Sequence, residues 1–302
     1  MSRRGVSGRG VSRRGVSRRD AQAVLPARLN GVLIALILAF AMVPILFMVL
    51  MSVTPDSDIA GGTVWPSHLA LDNYVRMWDT VALGSGLANS VLVAAVSAVV
   101  ATVFAVGAAY CLTRFTFVGR RPYLAVLVFL QSVPQVLLLL PLFMVFSSAA
   151  TYLGLPLVGT RLALIVAYLT FALPLATWVM VTYFRKVPES LEEAGLLDGL
   201  SRFGTLWRIV VPLSWPGMVV ALVFSFLVGW NDVVIASVLS HPDTRTAAVD
   251  LQVFGHSIEG GAIPQYGQLM GASVLCSIPV VALYLGFQRY LVSGLTAGSD
   301  KG

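Results

Sequence analysis

Residues 188–212 read PESLEEAGLLDGLSRFGTLWRIVVP and form a polar loop between two apolar segments of the chain. Glutamates occupy its first turns, where the dipole of a helix favours negative charge. Asp198 and Gly199 then form a stop signal, and Ser201 can cap a second helix. The loop is therefore predicted to form two short helices joined by a turn at Gly199.

The second of these helices is predicted to be amphipathic. Its apolar residues follow the i, i+3, i+4, i+7 spacing of a single stripe, and they are Phe203, Leu206, Trp207 and Val210. Pro212 marks the entry to the next apolar segment. Amphipathicity alone is equally consistent with a simple interfacial hairpin that anchors the neighbouring segments.

The composition places this loop in a membrane protein. Hydrophobic residues make up 57% of the 302 positions and charged residues 11%, whereas a soluble domain averages about 25% charged residues. Six windows lack Asp, Glu, Lys and Arg altogether: 31–53, 87–113, 122–160, 162–184, 209–231 and 260–288. About 20 apolar residues cross a bilayer, so we predict an all-α protein with six transmembrane helices. The long third window is predicted to cross once, at 123–146, and to continue as an apolar outer loop. The fifth span is predicted over about 213–234 and the sixth over about 266–285.

The distribution of positive charge predicts the orientation of these spans. With the N-terminus inside the cell, all 20 Lys and Arg residues except Arg76, Arg161 and Arg245 fall on the cytoplasmic side, as the positive-inside rule requires. Both termini and the 185–212 loop are then cytoplasmic. The arginine-rich tract 1–28 is predicted to be a disordered tail beside anionic lipid, with no role in binding nucleic acid.

No catalytic or cofactor-binding pattern is visible. A phosphate-binding Walker A loop ends in Gly-Lys-Ser/Thr. Neither Lys186 nor Lys301 follows a glycine, so the sequence contains no such loop. The three histidines fall in predicted outer loops, and both cysteines fall in predicted spans. We therefore expect no enzyme activity, no metal site and no cofactor bound by this chain.

The spacing of the polar loop resembles a known family. Glu193-Ala194-Gly195, three residues, Gly199, nine residues, Ile209 and then Pro212 resemble the EAA loop in the membrane subunits of binding-protein-dependent ABC importers. Gly195 stands where the family usually has Ala, and Val211 stands where Leu commonly precedes the proline.

This resemblance implies a fold, a coupling site and partners. The fold would be the six-span type I ABC importer permease fold over 29–293, and the loop would be the coupling helix that enters a cleft of a separate ATPase. The residues implied in coupling are Glu192, Glu193, Ala194, Gly195, Asp198, Gly199, Ile209 and Pro212. Implied partners are an ABC ATPase dimer, which would bind ATP and Mg, a second homologous permease subunit and an extracytoplasmic solute-binding protein.

Further motifs resemble the carbohydrate branch of the family, maltose-type permeases above all. They are Asn89-Ser90, Ala109-Tyr110, Trp230-Asn231-Asp232 and the ending QRYLVSGLTAG at 288–298. The resemblance implies that the cytoplasmic tail 294–302 contacts the ATPase, with Gly294, Thr296, Gly298 and Lys301 as contact residues. It also implies that the outer loop 241–265 meets the binding protein.

The expected function is that of an inner-membrane permease subunit that forms half of the path for a sugar or oligosaccharide. Prolines within the spans predict bent helices around a path, and the candidate path residues are Gln131, Gln135 and Asn231. Another small solute is an alternative. An ion-coupled secondary transporter is a weaker one, because its spans would carry ionisable groups. Here Asp232 is interpreted as a polar helix end beside an interfacial Trp230.

Overall fold

The computed structural model describes residues 27–257 and 265–296, and within these two ranges the chain is mostly helical and contains no strand. By contacts it divides into two units, 1–47 and 48–302. The first contains most of α1, and the second contains the rest of α1 and all the other helices. The helices are α1 (Ala27–Ser52), α2 (Asp56–Ala60), α3 (Asn73–Thr80), α4 (Leu83–Arg114), α5 (Arg120–Ser132), α6 (Leu139–Leu153), α7 (Arg161–Phe184), α8 (Glu189–Leu197), α9 (Arg202–Thr205), α10 (Val211–Leu213), α11 (Trp215–Trp230), α12 (Val234–Leu239), α13 (Ala247–Ser257) and α14 (Tyr266–Thr296).

The membrane-spanning helices agree with the predicted architecture. Five stretches of the described chain are long and apolar enough to cross a membrane, and a sixth is obtained when the bent pair Arg202–Leu213 and Trp215–Trp230 counts as one span. The six-span prediction is therefore confirmed at the level of span number. Three of the spans differ in detail from their prediction.

The third span is broken, and it lies further along the chain than predicted. Helix α5 ends at Ser132, Val133 is extended, and a 3-10 turn at Gln135–Leu138 leads into α6. Pro134 causes the break, because proline disfavours the helical conformation of the residue before it and has no N–H to donate. The window that is long enough to cross runs over Gln135–Leu153. The predicted crossing at 123–146 with a loop after it is therefore wrong.

The fifth span is shorter than predicted and begins with a sharp bend. Helix α11 ends at Trp230 and not near residue 234, and the chain leaves helical geometry before α12 begins. At its other end, the helical segment Arg202–Leu213 meets α11 at an angle of 78°. Pro212 and Pro216 flank this bend, and each removes a hydrogen bond that a continuous helix would make.

The sixth span extends beyond its predicted end near residue 285. Helix α14 runs for 31 residues, through Thr296, which is about 46 Å at 1.5 Å per residue. The helix therefore continues into the beginning of the predicted tail 294–302.

The interior of the second unit is formed by α4, α7 and α11. Small residues allow the three backbones to approach closely, as they do in membrane proteins generally. A Cβ added at Gly229 of α11 would lie 3.2 Å from the Cα of Ala94 and 2.9 Å from the ring of Tyr168. The buried alanines of this interior include Ala101, Ala105, Ala109, Ala172, Ala176 and Ala221. At one end of these helices lies the polar loop.

Candidate functional site: a polar hairpin and a groove beside two broken spans

The polar loop folds as a helical hairpin, which comprises residues 189–213 and is called the hairpin below. Its first helix, α8, ends in a Schellman motif. Gly199 N–H donates to Leu196 O at 3.1 Å and Leu200 N–H to Gly195 O at 3.0 Å. Gly199 has φ +87°, a conformation that costs other residues energy, so the predicted turn at Gly199 is present.

The second helix of the hairpin begins as predicted and continues further. The Ser201 side chain accepts a hydrogen bond from Gly204 N–H at 3.1 Å and caps α9. A π-turn at Leu206–Val210 then joins α9 to α10, so that helical structure extends through Pro212 to Leu213. We call the segment 202–213 the second hairpin helix.

The two hairpin helices touch at Gly195. A Cβ added there would lie 2.6 Å from Ile209 Cδ1 and 3.4 Å from Leu200 Cδ1. The terminal methyl group of Ile209 therefore occupies the space that the Cβ of the family's usual Ala would take, and with Ala here this side chain would have to shift. Two positions of the sequence motif, Gly195 and Ile209, are thus direct neighbours in space.

A buried ion pair anchors the hairpin to α4. Arg114 Nε donates to Glu192 Oε1 at 2.5 Å, and their side chains are only 7% and 9% exposed. The same guanidinium donates from Nη2 to the carbonyl oxygens of Phe184 and Val187, each at 3.0 Å. Tyr110 Oη donates to Glu192 Oε2 at 3.3 Å. The ends of α4 and α7 and the start of α8 are thereby held together by charge-assisted hydrogen bonds.

The predicted coupling residues divide into an inner and an outer set. Glu192 and Gly195 are buried, and Ile209 is half-buried. The exposed members are Glu193, Ala194, Asp198, Gly199 and Pro212. Beside them Leu197 is 89% exposed. In this structure the outer set can meet a partner, whereas Glu192 stabilises the hairpin from within.

The predicted apolar stripe of the second hairpin helix is split. Leu206 and Val210 are buried in the main core, but Phe203 and Trp207 are 71% and 45% exposed. The sequence predicts one apolar stripe without saying what covers it, and the core covers a narrower arc of the helix than the four apolar residues occupy.

The predicted path residues line two adjoining grooves. Gln131 and Gln135 line one of about 210 Å³ together with Phe171 and Pro174. Gln135 also lines the second, of about 570 Å³, opposite Asn231. Both grooves include Leu175 and Val228. The structure therefore brings the three amide side chains to one continuous surface beside the breaks that follow α5 and α11.

Trp230 is buried and not interfacial as predicted, whereas Asp232 does lie at a helix end, between α11 and α12. Trp230 is 7% exposed and stacks on Phe226 with a centroid separation of 5.4 Å. Asp232 is buried, accepts from Tyr168 Oη at 3.0 Å and from Ala236 N–H at 2.9 Å, and so caps α12. The tyrosine partner is 64 residues away in sequence, which is why sequence reasoning missed it.

At the end of the core away from the hairpin, Asn89 fixes the chain that follows α12. Its amide nitrogen donates to the carbonyl oxygens of Asp243 and Arg245 at 3.0 and 2.9 Å, and its amide oxygen accepts from Arg161 Nε at 2.8 Å. Ser90 Oγ accepts from Ala247 N–H at 2.9 Å. The Asn89-Ser90 motif thus positions the first part of the predicted outer loop. Residues 258–264 of that loop lie outside the described ranges.

Only two of the four predicted tail contacts lie within the described residues. Gly294 and Thr296 belong to the last turns of α14, whereas Gly298 and Lys301 lie outside the described residues.

Comparison with known proteins gives consistent results. Residues 101–297 match the family model described as "Binding-protein-dependent transport system inner membrane component". The chain is 32% identical to the trehalose transport system permease protein SugB of Mycobacterium tuberculosis over 90% of this chain and 97% of the relative. It is 33% identical to the trehalose/maltose transport system permease protein MalG of Thermococcus litoralis over 91% and 95%.

Solved structures share the fold. A chain of a bacterial ABC transporter that imports the acidic polysaccharide alginate superposes with a TM-score of 0.71 at 21% identity, and the match covers 87% of this chain and 95% of that one. A chain of the MetNI methionine ABC transporter superposes with a TM-score of 0.52 at 18% identity over 70% and 95%. These matches establish the type I importer permease architecture predicted from the six spans and the polar loop.

Proposed function

The chain belongs to the family of binding-protein-dependent transport system inner membrane components, and from this premise we propose that it is a permease subunit of an ATP-driven carbohydrate importer. It is a multi-pass inner membrane protein. It forms half of the path for a sugar or oligosaccharide, and a second homologous permease forms the other half. A solute-binding protein outside the membrane delivers the solute.

The observation that carries this proposal is the anchored hairpin. Its outer face presents Glu193, Ala194 and Leu197 to the surroundings, while Arg114 and Glu192 fix its inner face to α4. Because the buried ion pair leaves the hairpin little freedom to move alone, a push on α8 is passed to α4 and α7. A surface of this kind suits an external motor.

ATP hydrolysis belongs to the ATPase partner, which binds ATP and Mg as a dimer. The hairpin provides its main contact, with Glu193, Ala194, Asp198 and Gly199 at the surface and Gly195, Ile209 and Pro212 shaping it. The C-terminal residues Gly294, Thr296, Gly298 and Lys301 add a second contact. Both termini and the hairpin lie on the cytoplasmic side, in accord with the positions of Lys and Arg.

The solute path runs along the surface of Gln131, Gln135 and Asn231. Non-helical backbone at membrane depth is tolerated where it is buried in protein or lines a water-filled cavity, and two such breaks adjoin these side chains. Amide groups can both donate and accept hydrogen bonds, which suits the hydroxyl groups of a neutral sugar. The relatives named for trehalose and maltose transport support this substrate class.

Co-purification tests the coupling proposal. The permease is extracted in mild detergent after co-expression with the ATPase, as wild type, Glu193→Lys and a control, Asp79→Lys, which reverses an exposed charge on α3. Wild type and Asp79→Lys are expected to retain the ATPase, and Glu193→Lys is expected to lose it. Equal retention by all three proteins would remove Glu193 from the contact, and no retention by any would contradict the importer assignment.

A further inference from the structure

The exposed aromatic pair of the second hairpin helix has no role in the coupling contact proposed above. Phe203 and Trp207 are 71% and 45% exposed, and their rings meet edge to face with centroids 6.0 Å apart. We call this pair the aromatic ridge. Large aromatic side chains exposed together on a polar hairpin indicate a surface that is covered by something apolar.

The ridge lies on the far side of its helix from α8. Within the second hairpin helix, Ile209 and Thr205 have the atoms nearest to a Cβ built on Gly195 of α8, at 2.6 and 3.7 Å. Phe203 and Trp207 each precede one of these residues by two positions, and two positions rotate the side chain by about 200° around a helix. A partner seated on the outer face of α8 is therefore on the opposite flank from the ridge.

The direction of the next span places the ridge at the bilayer surface. The second hairpin helix meets α11 at 78°. Membrane-spanning helices tilt by about 20° on average from the bilayer normal, so the helix before the bend lies nearly in the plane of the membrane. Exposed apolar side chains continue from the ridge towards the span at Leu213 and Trp215, which are 54% and 53% exposed.

The charges beside the ridge suit anionic lipid headgroups. Arg202 and Arg208 of the same helix are exposed, as are Arg185 and Lys186 at the end of α7. Basic residues near the surface of an anionic leaflet contribute about 1 kcal/mol each to membrane attraction. An in-plane helix with aromatic residues on one flank and arginines beside them has the composition of an interfacial anchor.

We propose that Phe203 and Trp207 insert into the boundary between headgroups and acyl chains of the adjacent leaflet. The hairpin then has two distinct surfaces, one on α8 for the ATPase and one on the second hairpin helix for lipid. The lipid contact holds the second hairpin helix at the bilayer surface while the ATPase pushes on α8. This use of the hairpin rests on the proposed function, whereas the lipid contact requires only that the chain lies in a membrane.

Spin-label accessibility tests the proposal in the complete transporter, reconstituted in vesicles of phosphatidylcholine and phosphatidylglycerol. Labels are attached at Phe203→Cys and, in a separate protein, at Trp207→Cys, with Cys111 and Cys276 replaced by alanine. Leu197→Cys on α8, where the native side chain is 89% exposed, is the matched control. Collisions with oxygen, which concentrates in the acyl region, are compared with collisions with a water-soluble nickel complex.

The ridge labels are expected to collide with oxygen and to be shielded from nickel, both with and without the ATPase. Ridge labels that meet nickel freely until the ATPase binds would assign the ridge to the ATPase and overturn the proposal. Ridge labels shielded from both reagents would assign it to the second permease, with the same consequence. The Leu197 label reports separately on coupling, because it should meet nickel until the ATPase covers it.

Discussion

Replacing either member of the Arg114–Glu192 pair should release the hairpin from the transmembrane core. Both side chains are more than nine-tenths buried and 2.5 Å apart. Removing one partner of a buried pair leaves an uncompensated charge and costs about 3–5 kcal/mol. That cost corresponds to roughly a hundred-fold to several-thousand-fold increase in the open population of the hairpin.

A double-mutant cycle separates the ion pair from general damage. Arg114→Met leaves the buried Glu192 carboxylate without its counterion, and Glu192→Met leaves the Arg114 guanidinium with only the exposed Glu189 carboxylate, 3.9 Å away, whereas the double variant leaves neither buried charge. Replacing a whole buried pair by apolar residues is often nearly neutral. We therefore expect the double variant to be less destabilised than either single variant, although the carbonyl groups of Phe184 and Val187 then lose their donor.

Hydrogen exchange of the backbone amides of 189–213, measured in nanodiscs, is the assay. The control is Arg76→Met, because the Arg76–Asp72 pair is 3.1 Å apart but 66% and 76% exposed, and exposed pairs contribute only about 0–1 kcal/mol. The hairpin should lose protection in both Arg114→Met and Glu192→Met and keep most of it in Arg76→Met. Protection that is unchanged in the single variants, or costs that simply add in the double variant, would refute the anchoring role.

Three further variants test particular contacts. Gly199→Ala should destabilise the hairpin by about 1–2 kcal/mol because alanine strains the left-handed backbone, and Gly199→Asn should cost less. Equal hydrogen-exchange protection of α8 in the two variants would contradict this. Tyr168→Phe removes a donor to the buried Asp232 carboxylate and should lower the melting temperature by an amount equivalent to about 1.5–3 kcal/mol, so an unchanged temperature would show that this bond contributes nothing. Burial raises the pKa of Asp250 from 3.8 to about 6, with Arg245 opposing the shift. The folded state therefore binds a proton that the unfolded state releases, and stability should fall as the pH rises from about 4 through 6. Asp250→Asn should flatten this dependence of the melting temperature, and an equally steep profile in the variant would exclude Asp250 as its source.

The local features of the hairpin were predictable because they depend on nearby residues. The turn at Gly199 and the cap at Ser201 are formed by residues within five positions of each other, so the sequence spacing contains the whole interaction. The number of spans was predictable for a similar reason, since apolar length alone determines it.

Contacts between distant helices were not predictable in this way. Arg114 and Glu192 are 78 positions apart, and nothing in their local sequences marks them as partners. For the same reason Glu192 was grouped with Glu193 as a coupling residue, although Glu192 is buried and Glu193 is exposed.

Hydrophobic periodicity identified the apolar side of the second hairpin helix but not how much of that side the core buries. Leu206 and Val210 reach the core formed by α4 and α7, whereas Phe203 and Trp207 lie beyond its edge. Proline positions likewise indicated bent spans, but whether Pro134 bends a helix or ends it depends on the neighbouring helices.

The most direct test of the importer assignment is uptake of a panel of labelled sugars and oligosaccharides into proteoliposomes that contain the complete transporter, with ATP inside and binding protein outside. Wild type should accumulate at least one of these solutes, and only with hydrolysable ATP and the binding protein. In the Gly199→Pro variant, proline cannot adopt φ +87°, so the permease should be inserted in the membrane but should not transport. ATP-dependent uptake by Gly199→Pro at the wild-type rate would contradict the hairpin's role. Uptake by wild type that follows an ion gradient and ignores ATP would contradict the account as a whole.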